Sequence, residues 1–143
     1  MKISDLLADK GDAVEVIDAA ATIAEAVRRL TLHSIGALVV SNDARSVDGI
    51  LSERDVVRLL ARHGDAALHR VVADAMTTPV STCRPSDEVV SLMSLMTERR
   101  IRHVPVVAAG RLVGIVSIGD VVKSRVDQLE RDRKELLEYV SGR

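Results

Sequence analysis

The chain writes one nine-residue phrase twice, GILSERDVV at residues 49–57 and GIVSIGDVV at residues 114–122. Six of the nine positions are identical: Gly, Ile, Ser, Asp, Val and Val keep their places while the residues between them change. An internal repeat constrains the fold more tightly than any local propensity, because each copy has to form the same unit. Shifting the chain by 66 residues extends the match, so that TIAEAVRRLTLHSIGALVV at 22–40 falls on EVVSLMSLMTERRIRHVPV at 88–106. Ile23, Val27 and Leu30 fall on Val89, Met93 and Met96. That i, i+4, i+7 stripe predicts a helix packed by one face in each copy.

The β-branched runs GALVV and HVPVV read as buried strands. A turn follows each, SNDARS or AAG, and a further strand then runs into a helix that begins at Ser52 or Ser117. The longer first turn accounts for the drop in offset from 66 to 65. A short strand precedes each first helix, AVEVID at 13–18 and PVSTCR at 79–84, and the lead-in ISDLL at 3–7 resembles VADAM at 72–76. The expected fold is α/β (α+β): two pseudo-symmetric βαββα repeats packed sheet to sheet. The first repeat, with its lead-in helix, spans 1–68, the second 69–125, and a helical tail 126–143.

The tail has no Pro or Gly between Asp120 and Gly142 and spaces Val122, Val126, Leu129, Leu136 and Val140 in a 4,3 pattern, with Arg133 interrupting. It predicts one long helix that either packs on its own body or docks on a partner subunit with Tyr139 as an anchor.

Ser-x-x-Asp at a helix start is a capping-box pattern, and its plainest role is to satisfy free backbone N–H groups. The same geometry suits a nucleoside phosphate. The helix start presents N–H groups to a phosphate, and an Asp one turn in offers two acceptors to a ribose diol. Tyr139 is the only aromatic residue, so a planar ligand has to lie between aliphatic side chains.

Other chemistries find no support. Gly114 and Gly119 have P-loop spacing, but Asp120 stands where Lys is required. No GxGxxG occurs, and His33, His63, His69 and His103 lack metal-ligand spacing. No Ser–His–Asp or Cys–His set suggests itself, so no enzymatic activity is expected. With 20 Lys and Arg against 21 Asp and Glu, no field draws in nucleic acid or an anionic membrane. The start MKISDLLADKGD has no signal-peptide run and no 18-residue apolar stretch occurs, so a cytoplasmic location is expected. Cys83 stands alone and reads as a small buried strand residue.

Two βαββα copies, each ending in G-h-h-S/T-x-x-D-h-h (h, apolar), resemble paired cystathionine-β-synthase-type (CBS) domains, the Bateman module. MTTPV before the second copy, and IGALVV and IRHVPVV at the second strands, carry the same resemblance over roughly residues 1–125. It implies a regulatory module that takes AMP, ADP or ATP, with NAD or S-adenosylmethionine as further ligands, and that signals to a separate partner protein. It also implies a homodimer. One cleft would join Ser52, Arg54 and Asp55 to Val80, Ser81, Ile101, Arg102 and His103. There Asp55 would hold ribose, Ser52, Arg102 and His103 phosphate, and Val80 and Ile101 would flank adenine. The other would join Ser117, Gly119 and Asp120 to Val14, Glu15, Ile35, Gly36 and Ala37. The cationic Asp55 cleft is expected to prefer phosphorylated ligands, and the Asp120 cleft to bind more weakly or to take a nucleoside. The rival reading is a structural or adaptor homodimer with vestigial clefts.

Overall fold

The computed structural model describes residues 1–142. In chain order it forms α1 (Ile3–Lys10), β1 (Val16–Ile17), α2 (Ile23–His33), β2 (Ala37–Val40), β3 (Gly49–Ser52) and α3 (Glu53–His63). Two 3-10 turns, Gly64–His69 and Val72–Asp74, lead to α4 (Val89–Arg99), β4 (His103–Ala108), β5 (Arg111–Ser117) and α5 (Ile118–Val140). The repeat is plain in the backbone. Ser34 and Arg100, 66 residues apart, close α2 and α4 in the same left-handed conformation, at φ 53° and 54°.

β1 runs parallel to β2, and β3 pairs with β2 antiparallel. β4 and β5 form the second, antiparallel sheet. The expected strand over 79–84 shrinks to a single bridge, Cys83 to Val106. The Cys83 N–H donates to the Pro105 carbonyl at 3.0 Å, and the Cys83 carbonyl accepts from Val107 N–H at 2.8 Å. Pro79 and Pro85 on either side lack the N–H groups that would extend the ladder. The strand expected over 13–18 likewise reduces to two residues.

Two separate apolar cores result. The first gathers Ile23, Ala26 and Leu30 of α2, Leu38, Val40 and Leu51 of the first sheet, and Val56 and Leu59 of α3. The second gathers Val89, Leu92 and Met96 of α4 with Val104, Val106, Val116 and Val121. The lead-in segments cross over between them. Ile3 and Leu6 of α1, grouped with the first repeat by chain order, are buried in the second core, while Val72 is buried in the first. Backbone bonds secure each exchange: Ile3 N–H to the Asp87 carbonyl and Val89 N–H to the Met1 carbonyl, then Val72 N–H to the Ala21 carbonyl. Burying a side chain such as Ile3 or Leu6 contributes roughly 1.5–3 kcal/mol, so each repeat depends on the other's lead-in.

Side chains alternate along a strand. Leu38 and Val40 face the first core, yet Ala37 and Val39 on the opposite face are also buried, at 5% and 0% exposure. The second sheet repeats this, with Pro105 buried between Val104 and Val106. These inner faces meet, and the clefts open at their margins. α5 is the expected long helix, but Val121 is its only buried residue, and residues 131–140 are all exposed. Its far half therefore does not pack on its own body. Among the described residues no helix is long and apolar enough to cross a membrane.

Candidate functional site

Both Ser-x-x-Asp phrases form reciprocal caps. Ser52 Oγ accepts from Asp55 N–H at 3.3 Å while Asp55 Oδ2 accepts from Ser52 N–H at 2.9 Å. Ser117 and Asp120 repeat this at 3.1 and 2.9 Å. Capping alone leaves part of each carboxylate available, and the two differ in how that part is used.

Asp55 is 7% exposed. Its Oδ2 also accepts from Ser52 Oγ at 3.0 Å, and its Oδ1 accepts from Thr77 Oγ1 at 3.2 Å. Around it converge the start of α3, the segment 77–81 and the turn between α4 and β4. Arg54 Nη1 donates to the Arg100 carbonyl at 3.5 Å, and Arg99 Nη1 donates to Ser81 Oγ at 2.9 Å. The Arg102 carbonyl accepts from Ile118 N–H at 2.8 Å, Ile101 packs against the second core, and Val80 is half-buried.

Asp120 looks into a cavity of about 320 Å³ between the repeats. Glu15, Ile35, Gly36, Ala37, Ser117 and Asp120 line it, as grouped from the sequence. Val14 is half-buried between the lining residues Ala13 and Glu15, and Gly119 is exposed on the first turn of α5. His103, grouped with the Asp55 cleft from the sequence, lines the Asp120 cavity instead. It is paired with Ser117 across β4 and β5, so both side chains share one face. The ring presses on Gly36, where an added Cβ would stand 3.1 Å from His103 Cε1 and 3.1 Å from Glu53 Oε1.

Three features were missed from the sequence. Lys10, at the end of α1, donates from Nζ to Asp120 Oδ2 at 2.6 Å and to the Ile115 carbonyl at 2.8 Å. Ile115 lines the cavity two residues before Ser117, as strand alternation would have indicated. Thr77 reaches Asp55 only because the lead-ins cross over, which no local motif announces.

Charge in the Asp120 cavity is well defined. Burial pushes the Asp120 carboxyl upward, but hydrogen bonds from Lys10 and Ser117 outweigh it and hold the group below its usual range. Burial holds the His103 imidazole below its ordinary value, Lys10 and Arg102 act the same way, and Glu53 and Asp120 oppose them. At neutral pH the cavity thus presents the Asp120 carboxylate, the Lys10 ammonium and a neutral His103 imidazole, with the acidic Glu15 on its wall. The expected contrast, cations beside Asp55 and neutral residues beside Asp120, holds only in its first half: Arg58 Nη1 stands 4.0 Å from Asp55 Oδ1, but Asp120 has a cation of its own in Lys10. Cys83 is buried, its thiol pushed up to about 12 by burial and by Asp87, in keeping with a structural role.

The fold and site define a tandem-repeat α/β module whose clefts are shared between the repeats. The family model for the CBS domain matches twice, over residues 4–62 and 72–127. The Arabidopsis thaliana "CBS domain-containing protein CBSX3, mitochondrial" is 37% identical over 125 residues, which is 85% of this chain and 61% of that protein's length. The crystal structure of a CBS-domain containing protein from Agrobacterium tumefaciens is 45% identical, with a TM-score of 0.84 over 87% of this chain and 92% of that one. A CBS domain protein from Pyrobaculum aerophilum, complexed with AMP, is 29% identical, with a TM-score of 0.78 over 91% of this chain and 97% of that one. The chain belongs to the CBS-domain family and carries the domain as a pair.

Proposed function

We propose that this CBS pair is a regulatory, non-catalytic module that binds an adenine nucleotide (AMP, ADP or ATP, with NAD as a further candidate). The observation that carries the reading is the Asp120 cavity. Its carboxylate keeps Oδ1 free of any hydrogen bond among the described residues, beside a cation and between aliphatic walls. The AMP complex of the Pyrobaculum relative supports the ligand class. In this reading Asp120 grips the ribose diol, and Ile35 and Ile115 flank the base. The Asp55 cleft, with Ser52, Arg54, Val80, Ser81, Ile101 and Arg102, is the second site. A ribose there first has to displace Thr77.

Binding across the two repeats shifts their relative position, and a partner protein reads that shift, by no more than the ligand's differential affinity for the two states. A homodimer fits the exposed Val126, Leu129, Leu136 and Val140 along α5, and light scattering of the purified protein tests it. Thermal melting with AMP, ATP and NAD tests the ligand. A nucleotide at about 100 times its Kd stabilises by roughly 2.7 kcal/mol, so a clear rise in Tm is expected. Melting unmoved by all three would favour the adaptor reading with vestigial clefts.

A further inference from the structure

The Asp120 cavity holds a cation that can decide which ligands enter it. Lys10 Nζ and Ser117 N–H both bond to the same oxygen, Asp120 Oδ2, at 2.6 and 2.9 Å. Two donors fill the two lone-pair directions of that oxygen. A ribose diol that engages both carboxylate oxygens therefore has to dislodge Lys10. The pair is half-sheltered, with side chains 29% and 24% exposed. Separating it is unfavourable unless another anion receives the ammonium. A neutral nucleoside brings no such anion, whereas a nucleoside phosphate does. The four-carbon Lys stem and its rotatable donors permit the exchange.

Asp55 is guarded more loosely: the neutral Thr77 hydroxyl holds its Oδ1 at 3.2 Å, and the exposed Arg58 stands 4.0 Å from the same oxygen, against 2.6 Å for Lys10 on Asp120. No other cavity group replaces Lys10. Ala13, Ser34, Ile35, Gly36, Ala37 and Ile115 carry no charge, Glu15 is acidic, and His103 offers a neutral ring.

We propose that Lys10 makes the Asp120 cleft select nucleoside phosphates over nucleosides, by exchanging Asp120 for the ligand's phosphate as the ribose takes the carboxylate. This rests on the reading of that cleft as a nucleotide site. It reverses the preference expected from the sequence, which credited phosphate selection to the Asp55 cleft.

The test is calorimetric titration of AMP and of adenosine into the wild-type chain, Lys10→Met and Lys10→Arg. Amide shifts of Gly36, Ala37 and Ser117 assign the binding to this cleft. The wild type should prefer AMP by about tenfold or more. Lys10→Met should bring the two ligands within about twofold by weakening AMP without weakening adenosine, and Lys10→Arg should keep most of the preference. An unchanged ratio in Lys10→Met, with the same amides shifting, overturns the role of Lys10 alone. A wild type that moves none of these amides with either ligand overturns the nucleotide reading of the cleft as well.

Discussion

Leu7 lies so close over Gly114 that a Cβ built on the glycine would stand 2.9 Å from Leu7 Cδ2. Met76 stands in the same relation to Gly49, with Sδ 2.6 Å from the added Cβ. Leu7 and Met76 hold matching places in the two lead-in segments, and Gly49 and Gly114 open the two copies of the repeated phrase. The shared glycine thus marks where each repeat receives the other's lead-in. Neither glycine has a positive φ, so what is required is close approach rather than backbone freedom.

Gly114→Ala should therefore destabilise the protein. Overpacking costs about 1–3 kcal/mol, partly offset by about 0.4–1 kcal/mol from the stiffer unfolded chain. Gly49→Ala should cost less, because Met76 repacks more freely than Leu7. Urea denaturation measures both, and a Gly114→Ala variant as stable as the parent would contradict the docking.

Leu6→Ala tests the crossover itself. Removing a buried Leu side chain costs about 2–5 kcal/mol, and Leu6 lies in the second core although it precedes the first repeat. Hydrogen exchange should quicken in β4, β5 and α4 before it does in β2 and β3. Preferential loosening of the first sheet would refute the assignment.

Acid sensitivity should have two limbs. The folded state lowers the His103 pKa, chiefly by burial, so the unfolded chain takes up this proton first, near pH 6.5. The stability involved is present above about pH 6.5 and is lost as the pH falls below it. Asp120 is also held low, so its contribution is present above about pH 4 and is lost on further acidification. Melting temperatures from pH 8 to 5 should fall less steeply for His103→Gln than for the parent. Identical slopes would show that the imidazole is not sheltered.

Cys83 should resist alkylation in the folded protein, because its thiol is buried and pushed up to about 12. Labelling should proceed only as fast as the second core opens, and should accelerate on addition of urea. Rapid labelling without denaturant would mean that the segment beside β4 is open.

Much of this was legible in the sequence, because a duplicated phrase encodes its own pairing. The apolar stripes placed α2 and α4, the β-branched runs placed β2 and β4, and Ser52 and Ser117 cap their helices as the motif predicts. The weak strands were over-read. Residues 13–18 and 79–84 carry strand-forming side chains, but Pro79 and Pro85 limit how much ladder the second can make. The site was legible only in part. Gly36, Ala37, Ser117 and Asp120 come from repeated strand and helix ends, whose places the symmetry supplies. Lys10 and Thr77 reach the carboxylates through exchanged lead-ins, a long-range arrangement without a local signature. His103 was grouped with Asp55 through the resemblance alone, whereas its pairing with Ser117 across β4 and β5 sets it on the wall of the Asp120 cavity.

The most direct test of the account is a crystal structure of the chain grown with AMP. Adenosine density is expected between Gly36–Ala37 and Ser117–Asp120, with both ribose hydroxyls on the Asp120 carboxylate and Lys10 moved onto the phosphate. An intact Lys10–Asp120 pair in an empty cavity, at saturating AMP, would contradict it.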